Sequence, residues 1–423
     1  MTNEVQKLIT QPADDALAQP LTLRNGTIIK NRLMKSAMSE GLGTADNRMT
    51  RQLIRLYDRW AKGGVGLLVT GNVMVDRRAL GEPGNLVVED ERDLGMLQAW
   101  ATAGTQENTQ FWMQINHPGK QVMRTLVKDP VAPSAIPFRT DMSRFFATPR
   151  ALKELEIEEI IQRFGNTAAI AKKAGFTGVQ IHAAHGYLVS QFLSGHHNQR
   201  TDQWGGSAEN RRRFVLELYR EIRRRVGNEF SVGIKLNSAD FQKGGFTEDE
   251  SLDVIRALSE AGIDHIEISG GTYEAPAMAG NMRKKSASTL AREAYFLDFA
   301  EKARKAVSTP LAVTGGFRSV SGMADAIHSG AVDMVGIARL LAIEPNAPKR
   351  LLAGKESQHQ VKPISTGVKA VDQMALMEVM WYGRQLRRIG NGSQPKPRES
   401  GFKSLLATLV ENGWGTFKTR LRA

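Results

Sequence analysis

The sequence predicts an α/β protein built on a (β/α)8 TIM barrel, with an N-terminal hairpin cap and a C-terminal helical extension. Three observations predict it. Short apolar runs alternate eight times with helical patterns across residues 30–352. Residues able to do chemistry gather where the chain leaves the C-terminal ends of those runs, the face on which barrels carry their sites. No Gly-x-Gly-x-x-Gly follows the first run, which disfavours a doubly wound sheet. The expected organisation is a flexible tail over 1–20, the barrel over 21–355, and a helical extension over 356–423 that ends in a basic amphipathic tail.

Leu21–Ile29 alternates around Asn25-Gly26, a hairpin turn signal, and would plug one end of the barrel. Arg32–Met38 is strand one. Thr50–Lys62 has helical spacing at Leu53, Ile54, Tyr57 and Trp60 and stops at Gly63-Gly64. Val65–Thr70 is strand two, Glu91–Thr105 a helix, and Phe111–Ile115 strand three. The Pro-rich connection Asn116–Pro149 is too long for filler and is expected to form a lid or rim. A helix from Leu155 to Ala174, closed by Gly175, leads into strand four, Gly178–Ile181. Ser207–Val226 is a helix with a capping Ser, and Ser231–Leu236 is strand five. Thr247-Glu-Asp-Glu250 reads as a capping box opening the helix Thr247–Ala261. His265–Ser269, Leu311–Val313 and Met334–Ile337 are strands six to eight, separated by helices over Arg292–Val307 and Val320–Ser329.

Beyond the barrel, Val368–Arg388 is helical, with apolar spacing at Val371, Met374, Met377 and Trp381. Phe402–Phe417 sets Leu405, Leu406, Leu409 and Val410 near one face, flanked by Lys and Arg. Such a tail rests on a membrane surface, or packs on the barrel or a neighbouring subunit of a homo-oligomer; packing is the preferred reading.

Composition narrows the function classes. The 423 residues contain no cysteine, which excludes disulfides, a thiolate nucleophile and a Cys-ligated iron–sulfur cluster. No run of about 18 apolar residues is present, so no transmembrane helix is expected. The first twenty residues lack a secretory pattern, and a cytoplasmic location is the default expectation. The net charge of +13 would suit nucleic acid, an anionic membrane surface or anionic ligands such as nucleotide cofactors, but it is spread over separate runs without interleaved aromatics, which is poor evidence for nucleic acid. The triplets Arg211–Arg213 and Arg223–Arg225 fall on one helix and read as a solvated face.

The chemistry centres on His182-Ala-Ala-His185-Gly-Tyr187, at the end of strand four. Two imidazoles can hold an oxygen while a phenol gives a proton beside them, although two such His also serve as caps or packing groups. After strand seven, Gly315-Gly316 offers bare backbone N–H groups, and after strand eight Arg339 offers a charge. That is the barrel's usual phosphate position. Lys235, inward on strand five, needs an anion nearby or must lose its proton. It could neutralise a cofactor or act as a Schiff-base amine. Gln114 ends strand three with a donor and an acceptor. A metal site from His182, His185, His196 and His197 lacks a carboxylate that would complete a recognisable ligand set, so no metal is expected.

These residues resemble a known family. The block from His182-Ala-Ala-His185-Gly-Tyr187-Leu through Gln191-Phe-Leu-Ser194 to Asn198-Gln-Arg200-Thr-Asp202-Gln-Trp-Gly205-Gly206-Ser-Ala-Glu209-Asn210-Arg211 is similar to the old yellow enzyme family of FMN-dependent ene-reductases. Asn31-Arg32, His117-Pro-Gly119-Lys-Gln121 and Thr314-Gly315-Gly316 support the resemblance, which spans Pro20–Pro348. It implies FMN held by Ala37, Met38, Ser39, Gly71, Gln114, Lys235, Gly315, Gly316, Ala338 and Arg339, with NADH or NADPH as reductant. It also implies that His182 and His185 bind a substrate carbonyl and that Tyr187 protonates the α-carbon. Ala37 stands where the family often has Pro, Ser39 where it has Thr or Cys, and Lys235 where Arg is usual. Ala338 replaces a usual Gly and therefore requires negative φ. An NAD(P)H oxidase or quinone reductase is the near alternative. A Schiff-base lyase using Lys235 is the alternative from a different class, and a tRNA-reducing barrel lacks its catalytic Cys.

Overall fold

The computed structural model describes residues 13–140, 142–143, 145–272, 274, 294, 296–362, 364 and 376–412. Eight strands close into a parallel barrel: β1 Leu33–Lys35, β2 Leu67–Val69, β3 Gln110–Asn116, β4 Gly178–Ala183, β5 Ser231–Asn237, β6 His265–Ser269, β7 Leu311–Thr314 and β8 Met334–Ile337. Each pairs with the next, and β8 pairs with β1, so no barrel edge remains open. The runs are nearly continuous in apolar residues because helices cover the outer face and side chains fill the inner one.

The helices between them are α1 Arg51–Ala61, α2 Leu94–Gly104, α3 Glu154–Ala174, α4 Ala208–Val226, α5 Glu248–Ala261, α6 Leu297–Ala306 and α7 Val320–His328. Their ends follow the caps. Ser207 and Thr247 accept from the backbone N–H three residues on, and Thr247 with Glu250 completes the capping box. Gly175 (φ +92°) and Gly262 (φ +94°) close α3 and α5 in the left-handed region. Of the predicted helix Arg292–Val307, residues 292, 293 and 295 lie outside the described residues.

The floor of the barrel is apolar. Leu21 and Leu23 from the hairpin pack with Ile29, Met34, Leu67, Val69, Trp112, Ala312 and Met334 in one buried cluster. The hairpin, Leu21–Thr22 paired with Ile28–Ile29, therefore plugs the barrel from below. Trp112 claims space that two neighbouring strands must concede. A Cβ on Gly178 or Gly233 would lie 2.6–2.7 Å from its indole, which is why β4 and β5 each carry glycine there.

Three expectations change. Within the expected tail, Ala13–Ala18 is a helix, and Leu17 is fully buried with its carbonyl accepting from the Arg32 N–H. One apolar residue docked under α7 outweighs the polar composition around it. The long connection after β3 is organised by a short parallel pair, Val131–Ala132 with Arg150–Ala151. Third, Arg223 is no mere surface charge. Its guanidinium holds the Gly227 and Phe230 carbonyls and pairs with Asp264 at 2.8 Å.

After β8 come α8 Arg339–Ile343, α9 Ala347–Leu352, α10 Leu376–Gly390 and α11 Gly401–Asn412. Val371 and Met374, predicted to extend α10 backwards, lie outside the described residues. Trp381 on α10 is buried and donates to the Glu399 carbonyl at 3.0 Å, and Gln52 of α1 donates to Asn391 at 2.6 Å. No described helix is long and apolar enough to cross a membrane.

The plug generates a prediction. Leu23→Ala lowers stability by about 2–5 kcal/mol, as for other fully packed leucines, read from denaturant midpoints. A loss below about 0.5 kcal/mol, the range of a surface position, would make the hairpin an appendage.

Candidate functional site: the C-terminal mouth of the barrel

The mouth begins with a ring of polar side chains just above the apolar floor. Side chains alternate along a strand, so Gln114, Gln180, Lys235 and Glu267 lie on the inner face in matched register: Gln114 beside Gln180, and Lys235 beside Glu267. They form one chain of contacts. Gln114 donates to Gln180 (2.7 Å), Gln180 to Glu267 (2.8 Å), and Lys235 pairs with Glu267 at 2.9 Å. Thr314 adds a hydrogen bond to Glu267 at 2.7 Å and lies 2.6 Å from the Ser36 hydroxyl. Burial pushes the Glu267 carboxyl up, but Lys235, Thr314 and Gln180 together hold it below its ordinary value. Lys235 is thus held by Glu267. An ammonium bonded to a buried carboxylate is a poor nucleophile, which weakens the lyase reading.

Above this ring, β4 runs into the turn that carries both imidazoles. His185 has φ +62° and Gly186 φ +81°, two successive left-handed residues. A side chain in that conformation is held by its surroundings. The His185 N–H donates to Asn237, and its Nε2 lies 2.8 Å from the Ser269 hydroxyl. The turn brings the His185 ring to 5.2 Å and the Tyr187 ring to 4.8 Å from His182, edge to face in both cases. His182 Nδ1 accepts from the Ala184 N–H at 3.3 Å, so in the neutral ring Nε2 carries the proton. Burial, joined by the charges of neighbouring groups, pulls His182 well below its ordinary value and His185 down to about 3. The Tyr187 hydroxyl accepts from Asn72 at 3.4 Å.

The remaining predicted residues ring the same mouth. Ala37 and Met38 are half-buried against the core after β1, and the Ser39 hydroxyl hydrogen-bonds Glu82. The Gly71 N–H is shared by Glu40 (2.9 Å) and the Tyr57 hydroxyl (3.1 Å), and Tyr57 also donates to Glu40. Behind them Lys35 is fully buried, donating to the Val69 carbonyl (2.6 Å) and Tyr57 (3.1 Å). Burial brings its ammonium down to about 8 despite the nearby Glu40. On the far side, Gly315 and Gly316 have φ of +110° and +101°, a cradle that side chains would strain. Ala338 has φ −128°, so its methyl is tolerated where glycine is usual. Arg339 starts α8 and pairs with Glu378 of α10 at 2.8 Å.

Several of these groups were not singled out in the sequence: Glu267, Gln180, Asn116, Glu40 and Glu378. Glu267 alone had a signal, a charged residue in the apolar run of β6 with the sign opposite to Lys235 on β5. The four histidines weighed in the sequence as a metal site, and set aside, are divided. His182 and His185 stay in the mouth, whereas His196 and His197 meet a carboxylate that sequence reading did not find, Glu274. Among the described residues this is the one group close enough to hold an ion. Lys120 faces the same carboxylate at 3.9 Å, and Glu274 also accepts from the Arg139 N–H, so the contacts join the loops after β3, β4 and β6. Most of residues 270–288, which follow β6, lie outside the described residues.

The mouth fits a phosphorylated ligand with a polar edge. The glycine cradle and Arg339 suit a phosphate. The fully buried Asn116 carboxamide has neither donor nor acceptor satisfied, and Asn72 Oδ1 and Gln121 Nε2 are likewise unpaired. Such groups are costly unless a ligand answers them.

Comparison with known proteins agrees. Residues 16–358 match the NADH:flavin oxidoreductase / NADH oxidase family. The NADH-dependent flavin oxidoreductase iliE of Hypocrea jecorina (strain QM6a) is 39% identical over 360 residues, covering 80% of this chain and 89% of that protein. Among solved structures, a 2-naphthoyl-CoA reductase in complex with 2-naphthoyl-CoA superposes with a TM-score of 0.75 at 27% identity, over 81% of this chain and 53% of that longer one. An old yellow enzyme homologue from Zymomonas mobilis shares the fold, with a TM-score of 0.69 at 22% identity over 82% of this chain and 95% of that one. The chain belongs to the NADH:flavin oxidoreductase / NADH oxidase family and is an FMN- and NAD(P)H-dependent oxidoreductase.

Proposed function

We propose that this oxidoreductase reduces the C=C bond of α,β-unsaturated carbonyl compounds. The observation that carries the reading is the grouping of two neutral imidazoles with a phenol around one point of the mouth. His182 donates from Nε2, and His185 from Nδ1, with its Nε2 accepting from the Ser269 hydroxyl, to the carbonyl oxygen of the substrate. Both stay neutral at pH 7, so they draw electron density through hydrogen bonds without adding a full charge. Tyr187 lies beside them and gives its hydroxyl proton to the α-carbon. FMN bound in this mouth would supply the redox chemistry, hydride transfer from the nicotinamide to the alkene. Gln114, anchored through Gln180, would hold the polar edge of its ring system, with Ala37, Met38, Ser39 and Gly71 beside it. Lys235 offsets the negative charge that reduction brings. Gly315, Gly316, Ala338 and Arg339 take the phosphate.

The test is anaerobic. The flavoprotein bleached with NADH is expected to regain its colour when an enone is added, with the saturated ketone as product. Reoxidation by oxygen or quinone alone would sink the enone and leave an oxidase. Tyr187→Phe is expected to slow the enone step by about 10²–10⁴-fold, the usual weight of a general acid, while the NADH step stays near wild type. Equal loss in both steps would remove Tyr187 from the proton-donor role.

Neutral imidazoles also set a pH dependence. Burial holds His117 and His265 down at about 4, His185 at about 3, and His182 and His197 well below their ordinary value. The unfolded chain takes up these protons near pH 6.5 and the folded chain only far lower. Stability is therefore whole above pH 6.5 and falls as the pH drops toward those values. The expected loss is about 1 kcal/mol per histidine between pH 6.5 and 5.5, read from denaturant midpoints. A midpoint that stays flat over that window would contradict neutral burial.

A further inference from the structure

The phosphate reading leaves Arg339 in an unexpected contact. Its Nη1 donates to Glu378 Oε2 at 2.8 Å, and Glu378 belongs to α10, beyond the 16–358 stretch that matches the family. The contact is specific in its placement. Glu378 and Tyr382 are four residues apart and share a face of α10, and α8, which Arg339 opens, packs against that helix. Tyr382 is buried beside the pair, and its hydroxyl is pushed up to about 12, by burial first, with Arg339 opposing and Glu378 adding. The helix is held where it stands. Trp381 is buried and bonded to Glu399, Gln385 accepts from the Lys396 N–H at 2.7 Å, and Asn391 meets Gln52 of α1. A carboxylate is thus presented to the guanidinium from outside the barrel.

We infer that Glu378 is a cofactor-site residue contributed by the C-terminal extension: a carboxylate that stands on Arg339 and competes with the flavin phosphate for it. The inference rests on the assignment of Arg339 to the phosphate. A guanidinium binds carboxylate and phosphate by the same planar fork, so one anion weakens the claim of the other. Both side chains are about one-third exposed, 36% and 32%, so solvent screens the contact and the effect is modest. Glu378 then sets how strongly the site prefers a phosphorylated flavin to the same ring without phosphate. By reciprocity, the phosphate also weakens the hold of α10 on Arg339.

The experiment titrates the full-length protein, freed of flavin, with FMN and separately with riboflavin, following quenching of flavin fluorescence. Glu378→Gln keeps the size and removes the charge. It is expected to bind FMN about two- to fivefold more tightly, the range of a partly exposed charge contact, with riboflavin affinity unchanged. Glu378→Ala serves as the second variant, with the same expectation, should the glutamine alter folding. FMN affinity that is unchanged or weaker in both variants overturns the inference. A gain of equal size for riboflavin also overturns it, because the effect would not pass through the phosphate. Arg339→Gln separates the two layers of the argument. It is expected to weaken FMN but not riboflavin. Loss of neither would overturn the phosphate assignment itself, and the inference with it.

Discussion

The buried ion pair between Lys235 and Glu267 is the constraint around which the upper barrel is arranged. Two charges removed from water cost several kcal/mol each unless geometry and further hydrogen bonds repay them. The repayment is visible in the strands around the pair. Gln180 from β4 and Thr314 from β7 bond Glu267, Gln114 from β3 bonds Gln180, and Ser36, just after β1, meets Thr314. The pair thus recruits a polar layer across five of the eight strands. That layer can exist because the layer below it is dry: Trp112, Met34, Leu67 and the hairpin leucines seal the floor. One half of the barrel supplies stability, and the other holds charge at a fixed height.

The same division explains where backbone strain is placed. His185 pays for a left-handed conformation, on the order of 1–3 kcal/mol, and the structure surrounds it with fixed partners. Asn237 and Ser269 come from the ends of β5 and β6, and the Gln121 side chain sits where any Cβ on Gly186 would fall. The loop after β3 is itself tied down, since Lys120 and Glu274 link it to the loop after β6. Four strand ends therefore agree on the position of one turn, and that agreement brings the His185 and Tyr187 rings into contact with His182.

The barrel was legible in the sequence because its signals are local. Eight apolar runs of strand length, capping residues such as Thr247 and terminal glycines such as Gly175 each act over a few positions. The chemistry of the His182–Tyr187 segment was equally local, six positions on one turn. What could not be read depends on register or closure. Lys235 declared its need for a counter-charge, but naming Glu267 required knowing that β5 and β6 pair with those two residues opposite each other. Glu40 and Tyr57 are seventeen positions apart and meet only because α1 folds back onto β1. Glu274 reaches His197 across the mouth, and Glu378 reaches Arg339 only after the chain has left the barrel. The helix Ala13–Ala18 is too short to show a period, and Ala16 and Leu17 are buried only once the barrel is in place.

The excess of positive charge has a related explanation, one that separates it from the site. Much of the basic content of α4 serves the shell. Arg211 donates to the Leu193 carbonyl and pairs with Glu250 of α5. Arg224 and Arg225 both close on Glu221, and Arg225 also reaches Gln162 of α3. Arg223 does the most. It holds the carbonyls of Gly227 and Phe230 as the chain leaves α4, and it bonds the Asp264 carboxylate, which in turn accepts the Val232 N–H at the start of β5. The heights at which β5 and β6 enter the barrel are coupled through that one carboxylate. Those are the strands that carry Lys235 and Glu267. A triplet that reads in sequence as a solvated face thus helps set the register on which the buried pair depends.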